Sequence, residues 1–138
     1  MSFLIFDGLV LEGLHNSIEI FKKFKTIALI HHPLYLEFKG KKSSIFFDRA
    51  KKIYKHINYF IVTSKQTKKL LVEKFENKQT QIKVESDLDF DSIKIFGEKM
   101  DSLTRAKLSG IIESIFLPFL TLSFRRFVFL GKSLFKNS

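Results

Sequence analysis

The 138-residue chain has no cysteine, no tryptophan, only two prolines and only six glycines. Without cysteine there is no disulfide framework and no thiolate metal site. The glycines stand at 8, 13, 40, 97, 110 and 131, a spacing that builds no phosphate-cradling loop. No serine sits in a recognisable nucleophile motif. No run reaches the ~18 apolar residues that a membrane span needs. Met1-Ser2-Phe3 lacks the basic region of a secretion signal, and Asp7 and Glu12 cut the early apolar run. A cytoplasmic protein is therefore expected, peripheral to the inner membrane at most. No internal repeat is present.

What is there suits a globular core: 45% of the residues are hydrophobic and 28% charged, in a length typical of one domain. The net charge of +10 is not spread evenly. Residues 39–83 hold 13 basic and 3 acidic residues, against 3 and 4 in residues 1–38 and 8 and 7 in residues 84–138. One segment thus carries the basic surface, suited to anionic lipid, nucleic acid or a phosphorylated ligand, or simply to a solvated helix face. Nucleic acid is the least favoured, because the aromatics are expected on inward stripes and not among the lysines.

Along the chain, apolar strands alternate with amphipathic segments. Phe3–Phe6 reads as a strand ended by Asp7-Gly8. Leu11, Leu14, Ile18 and Phe21 predict one helix, with Lys22, Lys23 and Lys25 in its last turns. The uncharged, β-branched run Thr26–Ile30 predicts a strand buried on both faces. Ser43 and Ser44 are candidate caps for a second helix whose apolar stripe is Phe46, Ala50, Ile53, Tyr54 and Ile57. Tyr59–Thr63 is the next strand, Ser64 caps a third helix with Thr67, Leu70, Leu71 and Phe75 inward, and Gln81–Val84 is a fourth, weaker strand. This alternation predicts an α/β fold: a partial Rossmann-like parallel sheet of three or four strands with flanking helices, strands 26–30 and 59–63 adjacent and central. The expected division is an α/β unit over 1–86 and a helical, Phe-rich, apolar tail over 87–138. The stretch Ile111–Phe124 is too short for a span and reads as a buried or interfacial helix, at least partly exposed.

The strongest functional signal is His31-His32-Pro33 with Glu37, at the carboxyl end of the Thr26–Ile30 strand. In open parallel sheets, ligands sit outside that end. Pro33 holds the loop extended. Adjacent histidines on an extended chain point to opposite sides, so a metal site is not expected; hydrogen bonding or acid–base work suits them better. A strand-end histidine satisfying loop carbonyls is the bland alternative. Thr63 and Ser64 close the next strand and read equally well as a strand end and a helix cap.

The segment DGLVLEGL, then IALIHHPLYLE, then RAKKIYKHINYFIVTSKQTKKLL resembles the amino-terminal, acceptor-side domain of family 4 glycosyltransferases, which have the two-domain GT-B fold. The resemblance covers roughly Asp7 to Val84 and ends at Glu85-Ser86-Asp87-Leu88, where that family has a Pro-Gly turn. It implies that His31 is the catalytic-site histidine that hydrogen-bonds sugar hydroxyls. It implies substrate-binding roles, less defined, for His32, Glu37, Thr63 and Ser64. A nucleotide sugar and an acceptor are the implied partners, and no metal or other cofactor is expected. The Gly-rich loop of such enzymes is absent, and no two glutamates stand eight positions apart to serve the donor. The expectation is a glycosyltransferase-like, truncated protein acting at the cytoplasmic membrane face and inactive alone. The alternative is a non-catalytic peripheral membrane protein.

Overall fold

A computed structural model describes residues 3–129, with side chains described as far as Phe116. Four parallel strands make the central sheet: β1 (Phe3–Asp7), β2 (Lys25–Ile30), β3 (Tyr59–Val62) and β4 (Ile82–Val84), in the spatial order β1-β2-β3-β4. The register pairs Phe6 with Ala28, Ala28 with Phe60 and Phe60 with Ile82. The sequence expectation of a parallel α/β sheet with 26–30 and 59–63 adjacent and central holds.

Because strand side chains alternate, each strand feeds two cores. Ala28, Ile30, Phe60, Val62, Ile82 and Val84 face one side, where they pack with Leu11, Ala50, Ile53, Tyr54, Leu71 and Phe75 from the crossovers. Ile27, Leu29 and Ile61 face the other side and meet Ile95, Met100, Leu108, Ile112 and Phe116. Successive crossovers of one hand in a sheet of monotonic order wind every crossover helix onto the same face. The second face must then be covered by chain that follows β4. A small antiparallel hairpin, β5 (Lys94–Ile95) and β6 (Glu98–Lys99), and the long helix α5 (Ser102–Phe129) supply that cover. Within the stretch expected to be at least partly exposed, Ile112 and Phe116 are buried on the sheet, as is Leu108 before it. The remainder of the apolar stretch, from residue 117, lies outside the described side chains.

The crossovers are α1 (Gly8–Leu11) and α2 (Glu19–Lys23), α3 (Gly40–Tyr54), and α4 (Lys65–Phe75). The single helix expected from Leu11 to Lys25 is instead broken by a 3-10 turn at Glu12–Leu14 and a bend through His15-Asn16-Ser17, and Lys25 already belongs to β2. Gly13 and Asn16 favour that break, since both are poor in helix interiors. α3 starts earlier than the serines suggest, after Lys39 and without a side-chain cap; Ser43 donates its hydroxyl to the Tyr35 carbonyl at 3.0 Å. Phe47, not Phe46, turns inward against Tyr35 and Phe75. Ser64 caps α4 as expected, its Oγ accepting the Thr67 N–H at 3.1 Å.

The hairpin is fastened at the amino-terminal end of the sheet. Phe96 and Gly97 both take left-handed φ, +57° and +78°, the backbone of a tight two-residue turn. The Phe96 ring stacks on Tyr59 at 4.5 Å, which holds a bulky residue in a conformation it rarely adopts. Glu98 accepts hydrogen bonds from both Lys25 and Tyr59. Burial opposes the charge on Glu98, yet these two donors outweigh it and hold the carboxyl below its usual range. The same contact, with burial as its first cause, pushes the Tyr59 phenol up to about 12.

Candidate functional site

Parallel pairing of Asp7 with Leu29 brings the carboxyl ends of β1 and β2 to one level of the sheet. Gly8 lets them meet closely: a Cβ there would stand 2.9 Å from the Leu29 carbonyl oxygen and 3.3 Å from the Ile30 Cα. Asp7 turns its side chain back to cap α1, its Oδ1 accepting the Leu9 N–H at 2.9 Å. Just beyond Ile30 the chain bends at His31 and His32. The bend ends the strand alternation, so the two rings do not point apart as an extended chain would place them. They lie 4.8 Å apart, tilted at 60°. Pro33 then leads into a 3-10 turn, Leu34–Glu37, which returns the Glu37 carboxylate to hydrogen-bonding contact with the His32 Nε2.

Asp7, Gly8, His31, His32 and Glu37 therefore line one cleft, closed on its apolar side by Leu29 and by Ile115 and Phe116 of α5. Burial, then the neighbouring His32, pull the His31 pKa down, and Glu37 only partly offsets them. His31 is thus held toward the neutral imidazole at neutral pH, where one ring nitrogen donates and the other accepts.

Thr63 and Ser64 do not line the cleft; they sit behind it. The Thr63 hydroxyl donates to the His31 carbonyl at 3.0 Å and lies 3.4 Å from its Nδ1, and the Thr67 hydroxyl reaches the same carbonyl at 3.2 Å. Ser64 acts one step further out, as the cap that orients Thr67. His31 is thus tied to its neighbours through its backbone carbonyl, with Nδ1 beside the Thr63 hydroxyl and the ring at the cleft wall.

Sequence reasoning brought His31, His32 and Glu37 together and missed Asp7, Gly8, Ile115 and Phe116. An Asp-Gly pair straight after an apolar run was the visible signal for the first two. Nothing local announces the last two. Among the described residues no group of three histidine, aspartate or glutamate side chains is placed to hold a metal ion. A larger groove, about 470 Å3, lies between β4 and the hairpin. It is open to solvent and gathers Lys83 and Lys94 with Asp87 and Asp89. No helix among the described residues is long and apolar enough to cross a membrane. No family model, no curated protein and no solved structure matches the chain.

Proposed function

We propose that the chain is glycosyltransferase-like, its cleft holding sugar hydroxyls for transfer from a nucleotide sugar to an acceptor at the cytoplasmic membrane face. The supporting observation is the meeting of Asp7, His31, His32 and Glu37 around one cleft at the carboxyl ends of two parallel strands. A sugar presents adjacent hydroxyls that both donate and accept. Carboxylates accept from them, and a neutral imidazole does one of each. The cleft holds only about 40 Å3, so it takes a hydroxyl edge of the sugar and not the ring, with Ile115 and Phe116 as its apolar wall. In this reading His31 orients the reacting sugar and attacks nothing. Thr63, with Thr67, positions it through its carbonyl, and Ser64 supports Thr67.

The chain alone is proposed to be inactive. Rate enhancement needs groups that bind the departing diphosphate more tightly in the transition state than in the ground state. The sequence has neither a Gly-rich loop nor a spaced glutamate pair for that task. Titration calorimetry with uridine and guanosine diphosphate sugars is expected to give no saturable binding tighter than about 100 μM, roughly −5.5 kcal/mol. Simple glycosides, followed by NMR, are expected to bind near ~1 mM, about −4 kcal/mol, with shifts at His31, His32 and Glu37 that His31→Ala abolishes. Tight donor binding would relocate the donor site. Failure of every glycoside to perturb these three residues would end the sugar reading.

A further inference from the structure

We propose that the surface formed by Leu36, Phe38 and the first turns of α3 docks on an anionic lipid bilayer, with Ile45 and Phe46 at its centre. This inference stands apart from the reading of the cleft and survives its failure. Leu36 is 51% exposed and Ile45 42%; single exposed aliphatics are ordinary, and these two matter for the aromatic and cationic side chains placed beside them. Beside them the rings of Phe38 and Phe46 stack at 4.7 Å with planes 18° apart. The Lys42 ammonium lies 4.4 Å from the Phe38 ring, and the Arg49 guanidinium 5.3 Å from the Phe46 ring. Phe46, expected on the inward stripe, thus belongs to the outer surface.

Helical spacing surrounds the apolar centre with charge. Lys41 and Lys42 stand four and three residues before Ile45, and Arg49 four after it, so all three neighbour it on the helix surface. Lys39 is exposed at the start of the helix. The ion pairs among the described residues use none of these four cations. Two acids stand nearby, Asp48 and Glu37, the latter in contact with the His32 ring.

An apolar centre ringed by long cationic side chains complements anionic headgroups above acyl chains. Lys42 and Arg49 hold their charged heads against the rings, and the exposed Lys39 and Lys41 offer cations to phosphate. A nucleic acid fits less well. Stacking on bases needs a free ring face, and these faces are engaged by one another and by the two cations. The exposed aliphatics also offer nothing to a base edge or a phosphate. The turn Leu34–Glu37 belongs to both regions, carrying Leu36 into the patch and Glu37 into the cleft. Docking would therefore hold the cleft close to the lipid surface.

The apolar sequence after residue 116 is a second candidate for lipid contact, so the test must report from the patch itself. The chain has no tryptophan, and Ile45→Trp introduces a single indole reporter into the 138-residue chain. Its emission is expected to shift to the blue with vesicles of phosphatidylglycerol in phosphatidylcholine, and to be quenched by acyl-brominated lipid. High salt should reverse the shift, and phosphatidylcholine alone should not produce it. Ile93→Trp, at a site 56% exposed outside the patch, should show no shift. In co-sedimentation, Ile45→Glu should weaken partitioning about tenfold or more, with an unchanged far-UV spectrum confirming that the exposed site tolerates it. Three results would overturn the proposal. They are no sedimentation at low salt, sedimentation without a shift from Ile45→Trp, and a shift produced by polyuridylate but not by vesicles.

Discussion

The two faces of the sheet are covered by different means. One is covered by the crossovers themselves: Leu11, Tyr54, Leu71 and Phe75 arrive from segments that also connect the strands, so sequence order places them. The other is covered by chain that connects no strand of the sheet, and its central contacts, Leu108, Ile112 and Phe116 against Ile27, Leu29 and Ile61, join residues about fifty to ninety positions apart. The first face can assemble unit by unit. The second waits for the whole sheet. A four-stranded sheet in monotonic order cannot do without that late cover, since otherwise Ile27, Leu29 and Ile61 would stay in water.

The largest effect should come from attacking the late cover. Phe116 is 1% exposed, and Phe116→Ala is expected to cost about 3–5 kcal/mol, as much as Leu71→Ala or more on the crossover face. Urea unfolding with a single transition for both variants would show that the faces stand or fall together. A cost below about 1 kcal/mol for Phe116→Ala would break the comparison and make α5 a loosely held addition. Ending the chain near residue 86 is accordingly no neutral way to probe the tail, because it strips the sheet of Leu108, Ile112 and Phe116.

That difference also governs what could be read from the sequence. The strands were legible because uncharged, β-branched runs such as Thr26–Ile30 and Tyr59–Val62 have few other uses. The cap at Ser64 and the inward Leu71 and Phe75 were legible from spacing alone. The adjacency of the two central strands was legible too, but the cover of the far face was not: an apolar helix after residue 102 looks the same whether it meets lipid or a sheet. Half of the cleft was hidden for the same reason. His31, His32 and Glu37 lie within seven residues of one another, while Asp7 joins them only through the pairing of β1 with β2. At 46 and 47 two adjacent phenylalanines offered the core, and periodicity chose the wrong one. The packing of Tyr35 and Phe75 around Phe47 decides it, which no helical period contains.

A smaller effect is expected where the late cover is pinned. Glu98 receives Lys25 and Tyr59, with side-chain exposures of 33% for Lys25 and 20% for Glu98. Its carboxyl titrates below the ordinary value of 4.5 when folded. A lowered acid pKa gives stability that is present above about pH 4.5 and is lost as pH falls through the folded pKa. Glu98→Gln should cost about 1–2 kcal/mol at pH 7, solvent screening keeping it at the low end of that range, and less in acid. Urea midpoints between pH 3 and pH 7 read this directly; a loss independent of pH would mean that shape, not charge, pins the hairpin.

The crossover face carries a glutamate of the opposite kind, and it supplies the smallest effect. Glu12 is fully buried, with the Tyr54 hydroxyl donating to its Oε1 at 3.3 Å and no partner on Oε2. Burial raises its pKa above 4.5, and hydrogen bonds from its own backbone and from Tyr54 only temper the rise. The folded state thus holds this proton more tightly than the unfolded chain does. The stability linked to it is complete below about pH 4.5 and is lost as pH rises through the folded pKa, the reverse of Glu98. Glutamine copies the shape and the neutrality of the protonated acid. Glu12→Gln should therefore match the wild-type stability near pH 4 and exceed it by about 1 kcal/mol at pH 7, the low end of the cost of an unpartnered buried polar group. Tyr54→Phe removes the one side-chain donor and should make the wild-type loss toward neutral pH steeper. If the Glu12→Gln difference is the same at pH 4 and pH 7, Glu12 does not titrate in that window. The two faces would then not respond to acid in opposite senses.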